Sequence, residues 1–124
     1  MYLSGIMNIS GVLVLSKFLT NAVINEADPV VMSNFGLLMI VVWGLVFIAI
    51  APKWEYLKWV IAVFVIEKFI YGFLWIKWLI NNDLSLVYKQ DTFAGLFYTI
   101  YGLNDWLFFI FYLVVFVYLC RNRP

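Results

Sequence analysis

The sequence predicts an all-α, polytopic membrane protein: an antiparallel bundle of four transmembrane helices with both termini on the cytoplasmic side. Three observations predict it. Of 124 residues, 66% are hydrophobic and only 12% are charged, whereas soluble domains run at about half apolar and about a quarter charged. The apolar residues gather into four stretches, each near the roughly 20 residues that a helix needs to cross the hydrocarbon core. The bases in the connections between those stretches alternate from side to side.

The same figures exclude other classes. Eight Lys/Arg and seven Asp/Glu cannot cover the surface that a soluble chain of this length exposes. A net charge of +1 leaves no electrostatic footprint for nucleic acid. The one cysteine, Cys120, allows no internal disulfide, and the lack of histidine removes the commonest metal ligand and general base. Met1-Tyr2-Leu3-Ser4-Gly5 lacks the basic start of a signal peptide. Residues 1–124 are read as a single membrane domain.

The first span is placed over residues 3–24, although Asn8, Ser10, Ser16, Lys17, Thr20 and Asn21 dilute it. A three-span reading would strand a partly apolar arm on the surface. The second span, 29–51, contains no charge, with Asp28-Pro29 as N-cap and first turn. Pro52 ends it, since proline is tolerated at a helix start and not in its interior. The third span is 54–80. The connection 81–91 is too short for a domain, and Leu84, Leu86 and Val87 are expected on the membrane surface. The fourth span, 92–120, takes Asp91 as its N-cap.

Orientation follows from the bases. Lys53, Lys58, Arg121 and Arg123 fall on one side, while Lys89 falls on the other and Lys77 snorkels at a helix end. The richer side is cytoplasmic. Aromatic residues make up 21% of the chain. Trp54, Tyr56 and Trp59 fit an inner interfacial belt, and Trp75 and Trp78 an outer one. Trp43, Phe64, Trp106, Phe108, Phe109 and Phe111 fall deep inside spans, where they read as packing or as the lining of a site for a flat apolar ligand. No span contains a GxxxG pair, so close backbone crossings of that kind are not expected. Gly95 and Gly102, seven apart, mark one candidate close-approach face.

The informative residues are the charges within spans: Lys17, Glu67, Lys68 and Asp105. Buried charges in membranes face the bundle interior and pair. At about 1.5 Å of rise per residue, Lys17 lies about 21 Å from the cytoplasmic end, Glu67 and Lys68 about 20 Å, and Asp105 about 22 Å. The count predicts one charge-neutral polar layer. Tyr98 and Tyr101 join it by helical spacing with Asp105, Tyr71 stands one turn from Glu67, and Asn104, next to Asp105 but about 100° round the helix, is expected to reach a different neighbour. Glu67 is expected to face inward with Tyr71, and Lys68 to make a side contact. Neutrality favours a structural clamp; the competing reading is a proton relay through Glu67 or Asp105.

Four spans, short loops and aromatic-rich third and fourth helices resemble the small bacterial inner-membrane families of the DoxX-like and BphX-like kind. The resemblance covers layout over most of the chain and carries over no functional residue. The small multidrug-resistance transporters share the size, but they use a glutamate in the first helix, where this chain has Lys17.

No catalytic, metal-ligand or cofactor pattern is visible, so a non-enzyme is expected, with a membrane enzyme acting on a lipid-soluble substrate as the minor alternative. The expected role is a binding or accessory component of a homo-oligomer or larger complex in a bacterial inner membrane. Its partners would be the lipid bilayer, other membrane subunits and an apolar ligand such as a quinone, sterol or lipid. The alternative is a dimeric proton-coupled small-molecule transporter that uses the intramembrane carboxylates.

Overall fold

A computed structural model describes residues 1–122, which are 86% helical and contain no strand. Arg123, one of the bases used for orientation, lies outside the described residues. Three helices are long and apolar enough to cross a membrane, and a shorter apolar one accompanies them.

Helix α1 covers Tyr2–Leu15 and α2 covers Ala22–Ala27. The expected single span over 3–24 is therefore broken, and α1, at 14 residues, is shorter than the roughly 20 needed to cross alone. The break is made by the polar residues that dilute the segment. Ser16 Oγ accepts from Leu19 N–H at 2.9 Å, and the Asn21 amide donates to Leu15 O at 3.2 Å. Such local side-chain bonds compete with helix continuation. Lys17, Phe18 and Leu19 adopt left-handed φ values of 53°, 58° and 67°, which residues with a Cβ rarely adopt.

Helix α3 covers Asn34–Ile50, starting five residues later than the expected span. Asp28 is not its N-cap. Asp28 instead closes the preceding turn, its carbonyl accepting from Met32 N–H at 2.9 Å, and Ser33 caps α3 by accepting from Gly36 N–H at 3.1 Å. Pro52 sits in a 3-10 turn over Ala51–Tyr56, which delays α4 to Lys58–Asn81. Helix α6, Thr92–Asn122, begins as expected: Asp91 Oδ2 accepts from Ala94 N–H at 3.0 Å. Between them α5, Leu84–Gln90, turns Val87 into the protein while Leu86 stays exposed.

Helix α1 packs along α3, α4 packs along α6, and the contact of α1 with α6 joins the two pairs. Contrary to the expectation from the missing GxxxG motif, one crossing is close at the backbone. A Cβ on Gly44 of α3 would lie 2.8 Å from Gly5 O of α1. The two glycines come from different helices, so no single-helix motif reveals them. Gly95 and Gly102 instead sit under the rings of Tyr88 and Trp75. Helices α3 and α4 stay apart along their lengths and meet through aromatic side chains, with Phe47 and Phe64 centroids 4.8 Å apart.

The apolar interior forms two clusters. One gathers Val12, Leu37, Trp78, Phe97 and Tyr98; the other gathers Phe47, Phe64, Phe108 and Tyr112. On α1, α4 and α6 the residues between the two clusters are polar: Asn8, then Glu67 and Lys68, then Asp105.

Candidate functional site

The site is centred on Lys68, whose side chain is completely buried. Its ammonium donates to Asp105 Oδ1 at 2.9 Å and to Asn8 Oδ1 at 3.2 Å. It stands 3.8 Å from Glu67 Oε2 and 4.8 Å from the centroid of the Phe47 ring, which contributes a cation–π contact. The Asn8 amide in turn donates to Ile40 O at 3.2 Å. One lysine thus ties α4 to α6, α1 and α3.

Glu67 is placed differently. Its Oε2 is buried and accepts no hydrogen bond among the described residues. Together with Tyr71 it lines two spaces at once. The first is a partly open pocket with about 40 Å³ of space for water, room for a few waters at roughly 10–15 Å³ each. Asn8, Tyr101, Asn104 and Asp105 supply its other polar walls, and the buried Tyr101 hydroxyl likewise has no hydrogen-bond partner among the described residues. The second is a groove of about 200 Å³ between α3 and α4, lined by Trp43, Val63, Ile66 and Ile70. Val63, Ile66 and Ile70 continue onto the exposed apolar surface.

Lys17 is not in this layer. Its side chain is half-exposed and pairs with Asp91 Oδ1 at 3.4 Å, with the Phe93 ring 5.4 Å away. The depth count assumed an unbroken helix, and the turn after Leu15 takes Lys17 off it. Asp91 also accepts from the Asn21 amide at 2.6 Å. Its burial opposes ionisation, but the bonds from Asn21, the Ala94 N–H and Lys17 outweigh that and hold the carboxyl below its ordinary value.

Two further corrections follow. Lys68, expected to make a side contact, takes the central interior position, because the α6 acid and the α1 amide both converge on it, while Glu67 also faces that interior and lines the pocket with Tyr71. Tyr98 lies in the apolar cluster with Val12, Leu37, Trp78 and Phe97, its hydroxyl donating to Ile24 O at 2.7 Å and its ring stacked on Trp78. Asn104, Tyr71 and Tyr101 do reach the cavity wall. The sequence reading missed Asn8 and Phe47. Ser4, Asn8 and Val12, four apart and all buried, were the available signal, since polar residues at helical spacing on an apolar helix mark its inward face.

With Lys17 removed, the buried layer holds two carboxyls and one ammonium, one positive charge short of balance. An uncompensated charge in such surroundings is expensive, so the arrangement is suited to holding a proton or another monovalent cation. Compared with protein-family models, curated proteins and solved structures, the chain matches none of them.

Proposed function

We propose that this chain is a four-span integral membrane protein of a bacterial inner membrane, both termini cytoplasmic, that acts as a binding component of an oligomer or larger membrane assembly. In this reading α1 and its following turn make up the fourth crossing, and the layout shared with the DoxX-like and BphX-like families is part of the same picture. Lys68 and Asp105 clamp the helices, and Glu67 is the group offered to a binding partner. The observation that carries the reading is the position of Glu67: a buried carboxylate oxygen, held only by the 3.8 Å ion pair with Lys68 and accepting no hydrogen bond among the described residues, on a residue that lines the α3–α4 groove. A buried acceptor without a donor is costly, and a ligand or partner entering sideways from the bilayer would relieve it.

A photo-crosslinking amino acid at Val63, inside the groove, tests this in native membranes, with Leu107 on the exposed side of α6 as control. The reading expects a discrete adduct, a bound small molecule or a partner subunit, at Val63 alone. It expects that adduct to vanish when Glu67→Gln is added. Identical phospholipid adducts at both positions would overturn it.

The missing positive charge favours a second reading, proton-coupled transport, in which Glu67 and Asp105 share a proton that moves with substrate. Proton-linked flux in liposomes that is abolished by Asp105→Asn, with folding intact, would support it.

A further inference from the structure

We infer that the connection from α1 to α3, residues 16–33, is a releasable strap. It locks the α1–α3 pair onto the α4–α6 pair at the end of the bundle opposite the 3-10 turn, and its release opens the pocket beside Glu67 from that end. The inference goes beyond the binding reading above and does not depend on which ligand the site takes.

Packing differs within and between the two pairs. Within them the backbones are in contact or bonded from the partner helix. Gly5 lies against Gly44, and the indoles of Trp75 and Trp106 donate to Tyr98 O at 2.6 Å and to Gly72 O at 3.2 Å. Between the pairs α1 and α3 meet α4 and α6 along a seam, and both open spaces beside Glu67 lie on it. Protein interiors are otherwise close-packed, so unfilled volume along one seam marks the boundary between two units that can move apart. At one end the seam is closed by the turn Ala51–Tyr56, where Lys53 leaves helical geometry, and by the cluster of Phe47, Phe64, Phe108 and Tyr112. This end is the hinge.

At the other end the strap closes the seam. Asn21 and Lys17 donate to Asp91 at 2.6 and 3.4 Å, Trp78 Nε1 donates to Ala27 O at 2.9 Å, and the Tyr98 hydroxyl donates to Ile24 O at 2.7 Å. Ile24 and Met32 of the strap are fully buried there. The pocket runs from Asn8 and Glu67 in the polar layer to Leu15, which precedes the strap, and Phe97, which packs in the same cluster as Ile24.

Two features favour release. Lys17, Phe18 and Leu19 are three consecutive left-handed residues with a Cβ, a conformation that opposes closure at each of them. Opening also leaves the buried charges paired. The Lys68–Asp105 bond lies within one pair and the Asn8–Ile40 bond within the other, so the hydrogen bond that parts in the polar layer is the one from Lys68 to Asn8. In return water reaches Glu67 Oε2 and the Tyr101 hydroxyl, neither of which has a hydrogen-bond partner among the described residues.

The test is thiol labelling of full-length protein in lipid nanodiscs with a water-soluble maleimide, in a Cys120→Ser background. Val12→Cys reports from the pocket under the strap, and Ile61→Cys from the cluster at the hinge; both native side chains are buried. Trp78→Phe combined with Tyr98→Phe removes two strap bonds and keeps the rings. It should speed labelling of Val12→Cys by about tenfold or more and leave Ile61→Cys within about twofold. Phe18→Gly, which relieves strain in the closed strap alone, should slow labelling of Val12→Cys severalfold. Equal acceleration at both reporters would mean that the whole bundle loosens, and would overturn the inference. No acceleration at Val12→Cys, or faster labelling in Phe18→Gly, would overturn it as well.

Discussion

The Lys68 ammonium stands 2.9 Å from Asp105 Oδ1, and neither side chain is more than 9% exposed. The pair crosses from α4 to α6 in the polar band between two apolar clusters. Breaking a buried ion pair by removing one member leaves a lone charge behind. Lys68→Met should therefore destabilise the protein by about 3–5 kcal/mol. The double variant Lys68→Met, Asp105→Leu should recover a large part of that loss. Reversible unfolding in lipid or mild detergent would measure both, and a double variant no better than the single one would argue against a direct pair.

The turn after α1 offers a prediction of opposite sign. Phe18 is 75% exposed and holds φ at 58°. A left-handed residue with a Cβ costs roughly 1–2 kcal/mol that glycine does not. Phe18→Gly should raise stability by about 1 kcal/mol, with little packing to lose. A drop in stability would mean that the Phe18 side chain is anchored by something it contacts in the bilayer.

These two regions show what the sequence disclosed. Lys68, Glu67 and Asp105 were legible because charge is rare in apolar helices, and rise per residue placed them at one depth. Lys17 was assigned to the same layer by the same arithmetic. That arithmetic fails wherever local hydrogen bonds end a helix, and Ser16 and Asn21 supply them. Capping by Asp91 was readable from its place before an apolar run. The α3 cap was not, because Asp28-Pro29 and Ser33 both fit the pattern and only the turn geometry selects Ser33. The central position of Lys68 depends on which neighbours face it, a tertiary fact with no local signature.

Close approach of α1 and α3 at Gly5 and Gly44 positions Asn8 beside Lys68. Gly44→Val should push the helices apart, since even the first added carbon would lie 2.8 Å from both Gly5 O and the Ile9 side chain. Overpacking of this kind costs about 1–3 kcal/mol. The variant should also weaken the groove crosslink from Val63, because α3 carries Trp43. An unchanged unfolding midpoint would show that the helices do not cross at these glycines.

Stability should fall in acid through Asp91. Its folded-state carboxyl lies below the ordinary value of 3.8, so its contribution is fully present above that value. The contribution is lost as pH falls below 3.8 and through the folded value. Unfolding measured from pH 6 down to pH 3 should show this acid loss in the native protein. Asp91→Asn should be less stable at pH 6 and lose less on acidification. Parallel curves for the two proteins would place the acid sensitivity elsewhere.

Topology can be read with the single native cysteine. The proposed orientation puts Cys120, which is exposed, at the cytoplasmic end of α6 and Asn82 at the outer end of α4. A membrane-impermeant maleimide should label Asn82→Cys (in a Cys120→Ser background) in intact cells. It should label Cys120 in the native protein only after the membrane is opened. The reverse pattern would invert the orientation.

The charge balance of the buried cluster underlies the account of the site, and it depends on where each lysine ammonium lies. Solid-state NMR in lipid bilayers can measure it directly, through nitrogen–carbon correlations between lysine ammonium groups and side-chain carboxyls. The expected spectrum pairs Lys68 with Asp105 at hydrogen-bond distance, with Glu67 slightly farther away, and pairs Lys17 with Asp91 alone. A correlation from Lys17 to Glu67 or Asp105 would restore a neutral layer and contradict the account.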